Sequence, residues 1–235
     1  MKKALGFLVV AGIAVGAVFF WQKNIPLKTT DSTQFIATIT GIRTMQPIPA
    51  QFAYCVPKGN EKSSQTGHNI SPAVHWTAGP KGTKSYAVFM IDPDVPTVFT
   101  DAGKEGKILP ATMQRQNFYH WAVINIPSNI RVIAENSGKS FKQGNMAVND
   151  YLKFTGAKNT PENQQKYRGY DGPCPPWNDS RMHHYHFKVF ALKTDKIALN
   201  EPFTGEQALN AITPYILASS TEVGTYTLNP ALRKK

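Results

Sequence analysis

Two cysteines are too few for a disulfide-built scaffold, and no CxxC pair or spaced Cys/His set reads as a zinc finger. Charge is sparse and one-sided. Only 17% of the 235 residues are charged, 26 basic against 15 acidic, for a formal +11. That excess invites a nucleic-acid reading, but the lysines and arginines are scattered singly across loops, without a basic stripe or stacking platform, so nucleic acid is excluded as a partner. Only one apolar run approaches membrane-spanning length, which rules out a multi-pass protein. No GxSxG elbow, P-loop, HExxH or GxGxxG-type loop is present. The chain therefore shows no nucleophile signature, and neither cofactor nor metal is called for. A hydrophobic fraction of 41% is nevertheless ample for a packed core.

What is abundant favours strands and turns: 13 Phe, 9 Tyr, 17 Gly and 17 Pro. Phe35 to Thr40 alternates apolar residues with Thr, as a half-buried strand does. Ser85 to Ile91 and Trp121 to Ile126 are short apolar runs stopped by Asp92-Pro93 and Pro127, the pattern of strands buried on both faces. His184 to Leu192 is a fourth strand, aromatic and β-branched. Long connections at 57–68 and 137–165 imply surface excursions. One helix starts at Thr204, which can cap with Gln207 three residues on, and Pro214 to Ser219 reads as a second short helix. Many strands and few helices predict one mainly β, antiparallel-rich domain with short peripheral helices.

At the N-terminus, Lys2 and Lys3 precede an uncharged run from Ala4 to Trp21. Residues 1–21 read as a signal peptide or an N-terminal membrane anchor, the run being about 27 Å long at ~1.5 Å per residue. Residues 22–32 form a polar tether. The expected location is exported, periplasmic or extracellular, with residues 4–21 able to hold the chain at the inner membrane. Export permits, without requiring, a disulfide between Cys55 and Cys174.

Four local patterns could carry chemistry. Asp92-Pro93-Asp94-Val95-Pro96 follows a buried strand, and its prolines place the carboxylates on a stiff turn. Tyr119-His120-Trp121 opens the next strand. Gly172-Pro173-Cys174-Pro175-Pro176 is rigid and leads into His183-His184-Tyr185-His186. Strand periodicity divides these last four: His183 and Tyr185 share one face, His184 and His186 the other. The second pair could supply two ligands of a Zn²⁺ or Cu²⁺ site, but no acid is placed locally, and a solvated strand face is the preferred reading. The first pair could converge with His120 and Asp92 into a polar pocket in which His and Tyr donors hold an oxyanion.

The stretch from Asn69 through Pro96, with its Ser-Pro, Trp, Gly-Thr-Lys and Asp-Pro-Asp-x-Pro, resembles the phosphatidylethanolamine-binding protein family, in its bacterial Raf-kinase-inhibitor-like branch. Tyr119-His120-Trp121, Gly-Pro-Cys-Pro-Pro, the His-x-Tyr strand and Glu222-Val223-Gly224-Thr225-Tyr226 follow in the family's order. The resemblance covers roughly 35 to 227 and implies a β-sandwich-like domain, here residues 33–229, with 230–235 a basic tail. It also implies an anion pocket of Asp92, His120, Pro176, His183 and Tyr185, with Cys174 at the rim. The expected ligand is a small phosphate-like anion or phospholipid headgroup, with a membrane surface or a protein target as further partners and no established catalysis. An inhibitor acting through the long loops is the alternative, and a hydrolase using His120 or His183 as base ranks last. Two departures stand out. His184 occupies the place of the family's usual Arg, with Arg181 nearby, and the loops 57–68 and 153–166 are longer than in compact members.

Overall fold

The computed structural model describes residues 34–59 and 63–233. The proposed leader 1–21, the tether 22–32 and the last two residues of the basic tail lie outside them. Among the described residues no helix is long and apolar enough to cross a membrane.

Among the described residues ten strands run in chain order: β1 Ala37–Ile39, β2 Cys55–Pro57, β3 Ser64–Thr66, β4 Val74–Trp76, β5 Ser85–Pro96, β6 Arg115–Pro127, β7 Val132–Ile133, β8 Asn145–Met146, β9 His183–Leu192 and β10 Ile216–Tyr226. Three α-helices interrupt them there: α1 Tyr151–Phe154, α2 Pro161–Lys166 and α3 Gly205–Ile212. The main sheet is antiparallel in the order β10-β9-β5-β6-β8, the second sheet is β1-β4-β7, and β2 and β3 form a hairpin.

The continuous apolar runs of β5, β6 and β9 arise because the main sheet is covered on both sides. On one face, Val88, Met90, Trp121, Val123, Phe187 and Val189 pack with Val74, Trp76 and Ile133 of the second sheet. On the other, Phe89, Ile91, Ala122, Ile124, Phe190 and Leu192 pack with Ala208 and Ile212 of α3. Helix α3 starts as expected. The Gln207 backbone N–H donates to Thr204 Oγ1 (3.2 Å), and the Thr204 N–H donates to Gln207 Oε1 (2.8 Å).

The sequence reading needs two corrections. Pro214 to Ser219 is not a helix. A single 3-10 turn over Thr213–Tyr215 uses the fixed φ of Pro214, and Ile216 then enters β10, paired with β9 from Ile216↔Leu192 to Tyr226↔His183. Tertiary pairing along β9 overrides the local helical pattern. The segment Asp92–Pro96 is not a turn either. Strand β5 runs through it against β6, shifting register between Asp92↔Phe118 and Val95↔Gln116. The extra residue is a β-bulge, a place where a proline without an N–H is tolerated.

Candidate functional site

The bulge decides where the two carboxylates of β5 point. In a regular strand Asp92 and Asp94 would share a face. Here Asp92 Oδ2 lies 2.6 Å from His183 Nδ1, whereas Asp94 Oδ2 lies 2.7 Å from His184 Nδ1. His183 and His184 are on opposite faces of β9, so the bulge divides the acids between them. Asp94 also accepts from Arg181 Nε (2.5 Å) and from the His184 backbone N–H (2.9 Å). Burial alone would raise the Asp94 carboxyl, but the hydrogen bonds from His184 and Arg181 outweigh it and hold it below its ordinary value. The acid that sequence spacing does not show beside His184 is therefore supplied by the fold. Among the described residues, no three His, Cys, Asp or Glu side chains are grouped to hold a metal ion.

On the inner face, His183 is locked between two carboxylates. Nδ1 meets Asp92, and Nε2 meets Asp179 Oδ2 at 3.1 Å, with both histidine and acids only 1% exposed. A carboxylate only accepts, so both ring nitrogens carry protons. Burial opposes that charge, but the Asp92 and Asp179 carboxylates prevail and raise the imidazole to about 9. Asp179 is held in turn by a two-pronged contact from Arg115, at 2.6 and 3.0 Å. The remaining Arg115 hydrogens donate to the carbonyls of Asp94, Pro110 and Met113, so all five are used. His183 thus contributes charge to the pocket but no free donor, unlike the sequence expectation.

His120, on β6, is neutral for the opposite reason. Its Nδ1 donates to the Asp171 backbone carbonyl (2.8 Å), and burial depresses the imidazole below its ordinary value. Asp171 is itself fixed by Asn69 (2.7 Å), Asn149 (2.8 Å) and Lys139 (3.0 Å). Among the described residues Nε2 of His120 has no hydrogen-bond partner. Tyr185 stands 5.2 Å from His120, centroid to centroid, and burial followed by the Asp92 charge keeps its hydroxyl protonated.

All six residues singled out in the sequence, Asp92, His120, Cys174, Pro176, His183 and Tyr185, line one cavity of about 80 Å³ at the end of the main sheet. That is room for a few waters or one tetrahedral oxyanion. The rest of the wall is apolar: Val95, Phe99, Phe118, Tyr151, Phe154 and Pro175. Cys174 is bonded to Cys55, tying the wall to β2. Sequence reasoning missed Asp179, Arg115, Asp171 and the aromatic wall. Only Asp179, four residues before His183, left a local trace, because the other contacts span long separations.

Comparison with known proteins agrees with this architecture. Residues 38–227 match the family model described as phosphatidylethanolamine-binding protein. The UPF0098 protein YbcL of Escherichia coli is 31% identical over 169 residues, 72% of this chain and 74% of that protein. YbhB of the same organism is 33% identical over 139 residues, 59% of this chain and 70% of that protein. The crystal structure of YbcL, described as a member of the mammalian PEBP family, superposes with a TM-score of 0.60 at 28% identity. It covers 82% of this chain and 98% of that one. A Chlamydia trachomatis homologue shares the fold, with a TM-score of 0.56 at 24% identity over 82% and 96% of the two chains. A family match spanning both sheets and every wall of the cavity makes this chain a member of the phosphatidylethanolamine-binding protein family.

Proposed function

We propose that this chain is an exported, non-enzymatic binding protein whose cavity holds a small oxyanion, either phosphate or the phosphate of a phospholipid headgroup. The observation that carries the reading is the pairing of a buried imidazolium, His183, with a neutral His120 whose Nε2 is uncommitted in the same cavity. Every N–H of Arg115 and His183 is already engaged. The Tyr185 hydroxyl is drawn to Asp92, so an anion would share a proton with His120 Nε2, carried on its own hydroxyl or taken up by the imidazole. His183 offsets the Asp92 charge that would otherwise repel it. Among the described residues that line the cavity with His120 there is no serine, threonine or free thiol, which favours binding over hydrolysis. Export is supported by the Cys55–Cys174 disulfide, a bond that persists in oxidising compartments.

Calorimetric titration with phosphate and phosphoethanolamine tests the reading. Both should bind, and His120→Ala or His183→Ala should weaken them. Variants that bind as the parent does would sink the pocket assignment.

A second reading, a protein-binding module, is favoured by the excursion between β5 and β6. Asn178 organises it, accepting from the Gly103 N–H and donating to the carbonyls of Asp101, Lys104 and Lys107, while Val98 and Ile108 remain exposed. Deleting 100–108 would abolish such an interaction and leave phosphate binding intact.

A further inference from the structure

His184 and His186 stand on the face of β9 that the cavity does not use. Both are half-buried, while His183, Tyr185 and Phe187 turn inward. Strand pairing sets their surroundings. His186 lies opposite Val223 of β10 and Ile91 of β5, and His184 lies opposite Thr225 of β10. Val223 and Ile91 carry no polar side-chain atom. Among the described residues neither ring nitrogen of His186 has a hydrogen-bond partner, so its lone pair is open to a group from outside the chain.

His184 is held differently. Its Nδ1 donates to Asp94 Oδ2 at 2.7 Å, and its backbone N–H donates to the same oxygen at 2.9 Å. With the proton fixed on Nδ1, the lone pair of the neutral ring sits on Nε2, which no described residue meets. A carboxylate on the far nitrogen is the arrangement that orients a metal-ligating histidine, because it fixes the tautomer and the ring plane and raises the basicity of the ligating nitrogen. The sequence shows no acid near this pair; the bulge in β5 delivers one.

The surrounding charges narrow the choice of metal. Arg181 is spent on Asp94 Oδ1 at 2.5 Å, whereas Lys188, the next residue on the same face, leaves one positive charge to oppose a dication. Among the described residues no third His, Cys, Asp or Glu joins the pair, so a closed tetrahedral zinc cage is not formed. Two imidazoles on an open face, with water in the other positions, suit tetragonal Cu²⁺, which also binds nitrogen ligands more strongly than its divalent first-row neighbours.

We propose that His184 and His186 form a surface Cu²⁺ site, with Nε2 of His184 and one ring nitrogen of His186 as ligands and Asp94 as the orienting carboxylate. The site lies on the opposite face of β9 from the cavity and does not rest on the anion reading.

The probe is Cu²⁺ alone, titrated calorimetrically into the full chain, with electron paramagnetic resonance spectra recorded at less than one equivalent. The parent should bind one Cu²⁺ at this site, with superhyperfine splitting from two imidazole nitrogens, and should bind Zn²⁺ more weakly. His184→Ala and His186→Ala should each leave one nitrogen in the spectrum and weaken binding about tenfold or more, and Asp94→Asn should keep both nitrogens and weaken it about tenfold. His75→Ala, on β4, should change nothing. His186→Ala removes no hydrogen bond, so it keeps the test decisive even if Asp94→Asn fails to fold, and metal-free unfolding curves report the integrity of each variant. A parent that binds no Cu²⁺, a spectrum with a single nitrogen, or parent-like affinity in His186→Ala would overturn the site. A folded Asp94→Asn with parent affinity would overturn the orienting role of Asp94.

Discussion

Raising the pH from 6.5 to 9.5 should remove about 3 kcal/mol of folding stability through a single side chain. His183 is buried between Asp92 and Asp179 and is raised from an ordinary value near 6.5 to about 9. Its folded-state value lies above its unfolded one. The contribution is therefore complete below about pH 6.5 and disappears as the pH climbs through 9. A difference of roughly 2.5 units, at about 1.36 kcal/mol each, gives the figure. Against a typical total of about 5–15 kcal/mol that is a large share. With a urea dependence of about 2 kcal/mol per M, the unfolding midpoint should fall by about 1.5 M between the two pH values. Among the described residues there is no free thiol, so disulfide exchange does not confuse the alkaline points. His183→Gln should be less stable at pH 6.5 and nearly flat above it. A parent whose midpoint moves by less than about 0.5 M, or a variant that follows the parent, would refute the reasoning. So would an imidazole that titrates near 6.5 by NMR.

Other perturbations probe the supports of the same site. Asp179→Asn should cost about 3–5 kcal/mol, because it strands the buried Arg115 guanidinium, and it should lower the His183 titration point; unfolding curves and imidazole NMR read the two effects. Removing the disulfide with Cys55→Ser and Cys174→Ser together should cost up to about 4–5 kcal/mol, since the bond closes a loop with a separation of 119 residues; an unfolding midpoint within error of the parent would contradict this. Thr204→Ala should destabilise by about 1 kcal/mol through loss of the reciprocal cap on α3, without changing ligand affinity.

The inner face of the site was legible in the sequence because a strand alternates whatever surrounds it. His183 and Tyr185 are buried while His184 and His186 are half-buried, as the period of two requires. The capping box of α3 was legible because both partners lie within four residues. Asp92 was legible as a site candidate because it ends a buried apolar run on a proline-stiffened acidic segment. Its separation from Asp94 was not, since a bulge is set by pairing with β6 and has no strong local signature. The same applies to β10. Its residues Ile216 to Ser219 carry no strand pattern stronger than a helical one, and β9 decides the matter. Arg115 and Asp171 meet the site across 64 and 51 residues, distances over which spacing carries no information.

These particulars make the chemistry of the pocket depend on protons rather than on fixed cations. Arg115 spends its charge on Asp179, Arg181 pairs with Asp94, and the formal +11 of the chain says nothing about the cavity. On the proposed anion reading, an entering anion would meet His120 Nε2, and that nitrogen can donate only when the buried imidazole is protonated.

Sulfate binding as a function of pH tests that account most directly, because sulfate carries no proton of its own near neutrality. If His120 supplies the proton, affinity measured by calorimetry should rise by up to about tenfold for each pH unit of acidification from neutrality towards the depressed titration point of His120, with one proton taken up per sulfate bound, and His120→Gln should abolish the slope. Sulfate affinity that is independent of pH in the parent, or a slope that survives in His120→Gln, would contradict it.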